Sequence, residues 1–240
     1  MKSVIIIPAR FQSSRFPGKP LALIKGLPMI IRVANLCNKV FNKNDIYIAT
    51  DSHKIKQIVN KFGFNVAMTK KECLTGTDRV AEAAKKIKAD IYINVQGDEP
   101  LINPKDILKV INYKKTNYNY VVNCYTKIKD ENPSNTNLPK VAINQNRDLI
   151  YMSRSLVPGS KKESKKKNTF FKQVCIYAFN FHELKTFSSK RKKSNLEMIE
   201  DIEILRFFEL KIPIKMLKLK SQSLAVDTPQ DLKKIQKYFV

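Results

Sequence analysis

The sequence has 240 residues, of which 43% are hydrophobic, so the chain can bury a sizeable core. No stretch approaches the roughly 18 uninterrupted apolar residues of a membrane-spanning helix, and the short apolar run after Met1 lacks a signal-peptide cleavage site, which predicts a soluble, cytoplasmic protein with no membrane partner. The net charge of +24 would suit a nucleic-acid-binding protein. However, the excess lysines are spread along the whole chain without interleaved aromatic residues, so nucleic acid is not an expected partner.

Short apolar runs rich in β-branched residues alternate with segments of helical periodicity through the first half of the chain. Strands are predicted over residues 4–8, 46–49, 64–68 and 90–95. Helices are predicted over residues 29–40, 54–62, 78–88 and 104–115, and Thr77 is the expected cap of the third. This alternation is typical of βαβ units and predicts an α/β fold around a mainly parallel sheet.

The pattern changes after Tyr120, where four strand-like runs occur, the first three with no long helix between them. They predict antiparallel strands that form a subdomain or lid beside the parallel sheet. Helical periodicity returns over residues 195–209, followed by an edge-like strand over 214–219 and a helix that begins at Pro229. We therefore expect a single domain over residues 1–240 with an inserted β-rich subdomain at approximately 120–190.

The cysteines and histidines argue against several kinds of site. Cys37, Cys73, Cys124 and Cys175 lack the CxxC spacing of zinc or redox sites and are expected to be buried free thiols. Two histidines leave little material for a histidine metal site or a Ser-His-Asp triad. Any chemistry must therefore use carboxylates, cations and a bound ion.

A loop rich in cations follows the first predicted strand. The stretch "ARFQSSRFPGKP" carries Arg10, Arg15 and Lys19 with flexible serines and a glycine, which are the parts of a polyphosphate-binding loop. It is not a Walker A loop, because proline follows Lys19 and the first glycine of that motif is missing. A solvated basic turn is the alternative, but ligands of such sheets bind beyond the carboxyl ends of the strands, where this loop lies.

Two carboxylates at predicted strand ends are expected to face the same region. Asp98 in "NVQGDEP" follows the fourth predicted strand, and Gly97 allows a sharp turn before it. Asp227 in "VDTPQD" is the candidate partner, with helix capping as its alternative role. Carboxylates repel phosphates unless a divalent ion lies between them, and Mg²⁺ is the usual ion. The pair therefore predicts a Mg²⁺ site.

The stretch "LTGTDR" at residues 74–79 is a turn of small residues before a helix. Its hydroxyls and backbone amides could contact a flat base. An ordinary capped helix start explains the same residues equally well.

Several segments together are similar to those of one enzyme family. The chain resembles the 3-deoxy-manno-octulosonate cytidylyltransferases over essentially its whole length, in segments that include "IIIPARFQSSRFPGKPL", "TGTDRVAEA", "INVQGDEPLI", "NLEMIEDIEILR" and "VDTPQDL". The resemblance implies a nucleotide-diphospho-sugar transferase-like, Rossmann-like fold whose inserted β region binds the sugar and forms a homodimer. It also implies a cytoplasmic, Mg²⁺-dependent enzyme. Such an enzyme transfers CMP from CTP to 3-deoxy-D-manno-octulosonate (Kdo), giving diphosphate and CMP-Kdo for lipopolysaccharide biosynthesis.

The resemblance further implies roles for individual residues. The triphosphate would be bound by Arg10, Arg15 and Lys19. The base and ribose would be surrounded by Pro8, Ala9, Thr75, Gly76 and Arg79. The metal would be held by Asp98 and Asp227, which with Arg10 and Lys19 form the catalytic set. The acidic 2-keto sugar would be bound by Gln96, Arg154, Gln173, Tyr177 and Glu203, with Arg154 on its carboxylate.

The departures from the family pattern fall in the sugar site. Gln173 stands where the family has histidine, Ile204 where it has glutamine, and no tryptophan follows the Ser-Arg pair. A hydrogen-bonding site discriminates strongly among substrates. These changes therefore suggest an alternative sugar substrate to which CMP is transferred, either an 8-amino-Kdo-type sugar or a nonulosonic acid. The lysine-rich run at 161–167 is expected to be either a solvated loop or a mobile loop near the sugar site.

Overall fold

The computed structural model is described for residues 1–13, 15–159, 169–220 and 224–239. These residues form eleven strands and eight α-helices, with two short 3-10 helices at Lys19–Leu21 and Lys43–Asp45. The strands are β1 (Ser3–Ala9), β2 (Leu23–Ile24), β3 (Leu27–Pro28), β4 (Ile46–Thr50), β5 (Asn65–Met68), β6 (Ile91–Val95), β7 (Val121–Lys127), β8 (Lys140–Ile143), β9 (Leu149–Ser153), β10 (Phe171–Phe179) and β11 (Ile214–Lys218). The helices are α1 (Met29–Asn38), α2 (His53–Lys61), α3 (Gly76–Ala84), α4 (Pro104–Thr116), α5 (Phe181–Phe187), α6 (Asn195–Glu200), α7 (Ile204–Glu209) and α8 (Pro229–Gln236).

Seven strands form the path of one sheet in the order β11-β7-β10-β6-β1-β4-β5. β6, β1, β4 and β5 run parallel, β10 is antiparallel to both of its neighbours, and β11 runs parallel to β7. Successive residues of β1 point to opposite faces: Ile5 and Ile7 pack with α1, α2 and α4, whereas Val4 and Ile6 pack with α3, α5 and α7. The predicted α/β fold with a mainly parallel sheet is confirmed.

The strands after Tyr120 lie differently from the expectation. β7 and β10 belong to the central sheet, and β8 and β9 form an antiparallel hairpin that branches from β10. All residues of β7 except the last are buried, as is typical of a central strand covered on both faces. An apolar run of this kind does not reveal with which neighbours the strand will pair. Because β7 and β10 lie in the central sheet, the antiparallel part beside it consists of β8 and β9 and is smaller than expected.

The third helix begins earlier than expected. Thr75, not Thr77, is the cap of α3: its Oγ1 accepts a hydrogen bond from the amide of Asp78 (3.2 Å), and the Asp78 carboxylate accepts one from the amide of Thr75 (3.0 Å). This reciprocal pair is a capping box, which satisfies two amides that the helix itself leaves unpaired.

The single helix expected over residues 195–209 is divided into α6 and α7. The break lies at Asp201, whose φ of 49° is left-handed. Aspartate tolerates this conformation better than most residues, and it ends the helix. The carbonyl groups released at the end of α6 accept hydrogen bonds from Arg154.

The lysine-rich run at 161–167 lies outside the described residues, as does Ser14 of the cation-rich loop. Across the described segments, no helix combines the length and the apolar character needed to cross a membrane.

A buried ion pair joins α4 to α5. The Lys114 ammonium contacts both carboxylate oxygens of Glu183 at 2.8 Å and the carbonyl oxygens of Tyr118 and Tyr120. Replacing Lys114 with methionine is expected to lower the free energy of unfolding by about 3–5 kcal/mol, because Glu183 is left buried without its partner. Denaturant unfolding measures this loss. The double variant Lys114→Met, Glu183→Gln should recover part of it, and a single variant that loses less than about 1 kcal/mol would contradict the expectation.

Candidate active site

All fifteen residues predicted for the site line one cleft of about 760 Å³. The cleft opens at the carboxyl ends of β1 and β6, where ligands of parallel sheets bind. Its lining includes Pro8, Ala9, Arg10, Arg15, Lys19, Thr75, Gly76, Arg79, Gln96, Asp98, Arg154, Gln173, Tyr177, Glu203 and Asp227. The fold therefore brings together residues from distant parts of the chain, while their separate roles stay predictions.

Two cations of the first loop, Arg15 and Lys19, contact the two carboxylates directly. The Lys19 Nζ lies 2.5 Å from Asp98 Oδ2 and 3.4 Å from Asp227 Oδ1. A guanidinium nitrogen of Arg15 lies 3.2 Å from the same Asp227 oxygen. Lys19 is the most sheltered member, with 15% of its side chain exposed, whereas 62% of the Arg15 side chain is exposed. Both carboxylates thus converge on one ammonium group at the floor of the cleft.

Close packing at Gly97 places Asp98. A Cβ atom at this position would lie 2.9 Å from Ile30 Cδ1 and 3.0 Å from the Pro8 carbonyl oxygen, so a larger residue would push the turn away from β1. The carbonyl oxygen of Asp98 then accepts a hydrogen bond from the amide of Val226 (2.9 Å). This backbone contact brings Asp227 beside Asp98.

Asp227 does not cap the last helix, which was its alternative role. Thr228 is the cap of α8, and Asp231 completes its capping box. The Asp227 carboxylate is therefore available to the cleft, where it contacts Arg15 and Lys19.

The two carboxylates suit Mg²⁺. They present hard oxygen donors that converge on a single cationic position, now filled by the Lys19 ammonium. No group of three or more histidine, cysteine, aspartate or glutamate side chains among the described residues could hold a metal by itself. Mg²⁺ commonly binds one or two carboxylates and completes its shell with substrate phosphate oxygens and water. The donor set therefore fits an ion that arrives with a nucleotide.

The turn before α3 is both a capped helix start and a wall of the cleft. Thr75 and Gly76 line the cleft beside Gln96, and a Cβ atom on Gly76 would lie 3.2 Å from Gln96 Nε2. Arg79 is buried, with one guanidinium nitrogen 2.5 Å from Thr69 Oγ1 and the other 3.4 Å from Asp51 Oδ2. Its donors thus hold neighbouring segments together at the edge of the cleft.

Two of the residues predicted to bind the sugar adjoin this turn. Gln96 Nε2 donates to Glu203 Oε1 (3.2 Å), and the amide of Thr77 donates to Glu203 Oε2 (3.0 Å). Burial raises the pKa of Glu203, and the bond from Thr77 opposes this shift. Ile204, the departure next to it, is fully buried in the core. Its side chain therefore adds no polar group to the wall.

Arg154 is held in place by backbone carbonyl groups. Its Nε donates to the Glu200 oxygen (2.5 Å), and its two terminal nitrogens donate to the oxygens of Thr136 (3.0 Å) and Asp201 (2.9 Å). The side chain lines the cleft. A carboxylate in the cleft would meet a guanidinium whose orientation is already fixed.

Sequence reasoning missed some residues of the cleft. Lys193 lines the cleft and lies 3.0 Å from Asp201 Oδ1. Cys37 and Cys124 are buried free thiols as expected, but Cys73 and Cys175 are only partly buried and line the cleft. Burial raises the pKa of Cys73 to about 12, so its thiol is protonated at neutral pH.

Arg206 was also missed; it is buried and does not itself line the cleft. Its guanidinium makes two bonds to Asp78 (2.7 and 3.0 Å) and two to Glu197 (2.6 and 2.7 Å) and packs 3.9 Å from the centre of the Phe187 ring. Asp78 and Glu197 complete the capping boxes of α3 and α6. Arg206 therefore joins the turn at Thr75 to α6. At the end of α6, carbonyl oxygens accept hydrogen bonds from Arg154. In the sequence its partner Asp78 is 128 residues away, so no local pattern reveals the contact.

Comparisons with known proteins agree with this arrangement. A family model described as cytidylyltransferase matches residues 4–215. The 3-deoxy-manno-octulosonate cytidylyltransferase of Escherichia coli is 36% identical over 237 residues, covering 98% of this chain and 95% of that protein. The protein of the same name from Parabacteroides distasonis is 38% identical over 245 residues, with coverages of 98% and 96%.

Solved structures show the same likeness. The structure of a CMP:2-keto-3-deoxy-manno-octonic acid synthetase complexed with CTP has a TM-score of 0.92 at 35% identity, covering 99% of this chain and 98% of that one. HddC from Yersinia pseudotuberculosis, with a TM-score of 0.73 at 16% identity, shares the fold alone. Because the likeness in sequence and in fold extends over nearly the whole chain, this protein belongs to the 3-deoxy-manno-octulosonate cytidylyltransferase family of nucleotidyltransferases.

Proposed function

We propose that this protein transfers CMP from CTP to Kdo, releasing diphosphate and forming CMP-Kdo for lipopolysaccharide biosynthesis. The observation that carries the proposal is the cleft, in which the cation-rich loop meets two carboxylates and which is also lined by a turn suited to a base. Such an arrangement suits a nucleoside triphosphate, and relatives matched over nearly the whole chain are named for Kdo. The relatives favour Kdo over the related 2-keto sugar acids.

The residues of the cleft suit the bond changes of this reaction. The anomeric oxygen of the sugar attacks the α-phosphorus of CTP and loses its proton, and the bond from that phosphorus to the diphosphate breaks. Arg10, Arg15 and Lys19 would neutralise the charge that develops on the leaving diphosphate. Arg154 would hold the sugar carboxylate through a charge-assisted hydrogen bond. The catalysis is mainly positioning and charge stabilisation, as in phosphoryl transfer generally.

Asp98 and Asp227 would hold Mg²⁺. When bound, the ion would polarise phosphate oxygens and help to lower the pKa of the attacking hydroxyl. The convergence of both carboxylates on the Lys19 ammonium supports this proposal, because it marks a position suited to a cation.

We also propose that the enzyme works as a cytoplasmic homodimer, with the region at approximately 120–190 contributing to sugar binding and to the dimer. Gln173 and Tyr177, which line the cleft, support the first role. The second role rests on the family resemblance described above.

Diphosphate release with CTP and a panel of sugar acids tests the function. We expect transfer to Kdo with kcat/KM well above that for any nonulosonic acid or 8-amino derivative. Transfer to a nonulosonic acid with none to Kdo would overturn the proposal. Omitting the sugar from the same assay provides the control, because hydrolysis of CTP alone would also release phosphate-containing products.

A further inference from the structure

β10 contains an irregularity where it lines the cleft. Against β7, Gln173 and Val174 pair with Tyr125 and Cys124, but the next paired residue of β10 is Tyr177, opposite Asn123. The extra residues form a bulge, a feature that commonly redirects side chains beside active sites. Gln173 and Tyr177, at either end of it, both line the cleft.

Asn123 closes this bulge from inside the protein. Its side chain is fully buried, and its Nδ2 donates to the carbonyl oxygens of Val174 (3.2 Å) and Ile176 (3.0 Å). Only the NH₂ end of an amide can satisfy two carbonyl acceptors, so the orientation of the Asn123 side chain is determined. Its Oδ1 must then face the other way, where it accepts from Gln173 Nε2 (2.9 Å).

The orientation of Gln173 follows from that of Asn123. The Gln173 NH₂ has two donors, and they reach Asn123 Oδ1 (2.9 Å) and the Tyr177 hydroxyl oxygen (3.1 Å). Both donors are therefore used within the protein, and no side chain or amide of the described residues donates to Gln173 Oε1. Because Gln173 lines the cleft, its carbonyl oxygen is the group that it offers to a ligand.

We propose that Asn123 is a positioning residue that sets the polarity of Gln173, so that this point of the sugar site accepts a hydrogen bond and requires a hydroxyl donor from the sugar acid. The inference rests on the proposed function and specifies one requirement of the same site. A neutral histidine at position 173 can satisfy the same requirement, since one ring nitrogen donates to Asn123 and the other accepts from the sugar. The exchange of histidine for glutamine noted in the sequence thus preserves the polarity of the pocket.

Steady-state kinetics of two variants test the role of Gln173. Gln173→Leu is expected to raise the KM for Kdo about tenfold or more and to leave the KM for CTP unchanged, because only the sugar loses its acceptor. Gln173→His is expected to recover most of that loss. Gln57→Leu, an exposed glutamine on α2, is the matched control and should change neither KM.

Asn123→Ala tests whether Asn123 acts through Gln173. It is expected to raise the KM for Kdo, and combining it with Gln173→Leu should add little, because both changes remove the same contact. The unchanged KM for CTP and the thermal unfolding midpoint distinguish this result from general loss of the fold. Full additivity of the two changes in the KM for Kdo would overturn the positioning role.

Kdo analogues with one hydroxyl at a time replaced by fluorine test the polarity itself, because fluorine does not donate a hydrogen bond. With the wild-type enzyme, one analogue should lose about tenfold or more in kcat/KM, and Gln173→Leu should show no further loss with that analogue. An active wild-type enzyme whose KM for Kdo is unaffected by Gln173→Leu would overturn this inference alone. A wild-type enzyme that releases no diphosphate from CTP and Kdo would overturn the proposed function and this inference with it.

Discussion

Replacing Asp98 with asparagine is expected to lower kcat for CMP transfer by at least about a hundredfold while the protein stays folded. Asparagine has nearly the same shape but no charge. The variant therefore loses one of the two carboxylates that converge on Lys19 and one of the two proposed Mg²⁺ ligands. Diphosphate release measures the loss, and the Mg²⁺ concentration that gives half-maximal rate should rise in the residual activity.

Asp148→Asn is the matched control for this change. Asp148 also pairs with a lysine, Lys215, at 2.6 Å, but it does not line the cleft. Both variants remove one carboxylate from an aspartate–lysine pair, so only the position differs. Near-normal transfer by Asp98→Asn would show that the Mg²⁺ assignment is wrong, and an equal loss in Asp148→Asn would attribute the effect to the general charge of the protein.

Replacing Arg206 with lysine is expected to lower the free energy of unfolding by roughly 3 kcal/mol or more and to raise the KM for CTP. A lysine ammonium cannot make paired hydrogen bonds to Asp78 and Glu197 at once, so at least one of these two carboxylates loses its partner. Asp78 also holds the amide of Thr75 at the wall of the cleft, so the turn should loosen. Denaturant unfolding and initial-rate kinetics measure the two effects.

Arg32→Lys gives the comparison for an arginine outside the cleft. Arg32 donates to the carbonyl oxygen of Ile24 and is partly exposed, so its replacement should cost less stability and leave the KM for CTP unchanged. If Arg206→Lys lowers stability without changing the KM for either substrate, Arg206 supports the fold only and does not position the turn at Thr75.

The features that could be predicted correctly from the sequence are those that local patterns of residues determine. The strands and helices of the first half follow from the alternation of apolar runs and helical periodicity, and all four of those strands lie in the parallel part of the sheet. The cleft could also be predicted, because loops after parallel strands meet at one edge. Arg10, Asp98 and Gln96 needed only this rule to be placed together.

The parts that could not be predicted depend on contacts between distant segments. β10 joins the central sheet because it pairs with β6 and β7, and nothing in its own apolar run selects these partners. The break at Asp201 depends on the backbone conformation of a residue that would also suit a helix surface. The hydrogen bonds of Arg206 to Asp78, and those of Asn123 to carbonyl oxygens of β10, likewise form only once the strands and helices are packed together.

The hydrogen bond between Val226 and Asp98 has a consequence for the order in which the enzyme is made. Lys19 and Asp227, which this bond helps to bring together, are 208 residues apart. At a synthesis rate of about 5–20 residues per second, the cation-rich loop leaves the ribosome roughly 10–40 s before its second carboxylate is made. A nascent chain can thus form the first βαβ units early, but it acquires the second acid of the pair only after 208 further residues have followed Lys19.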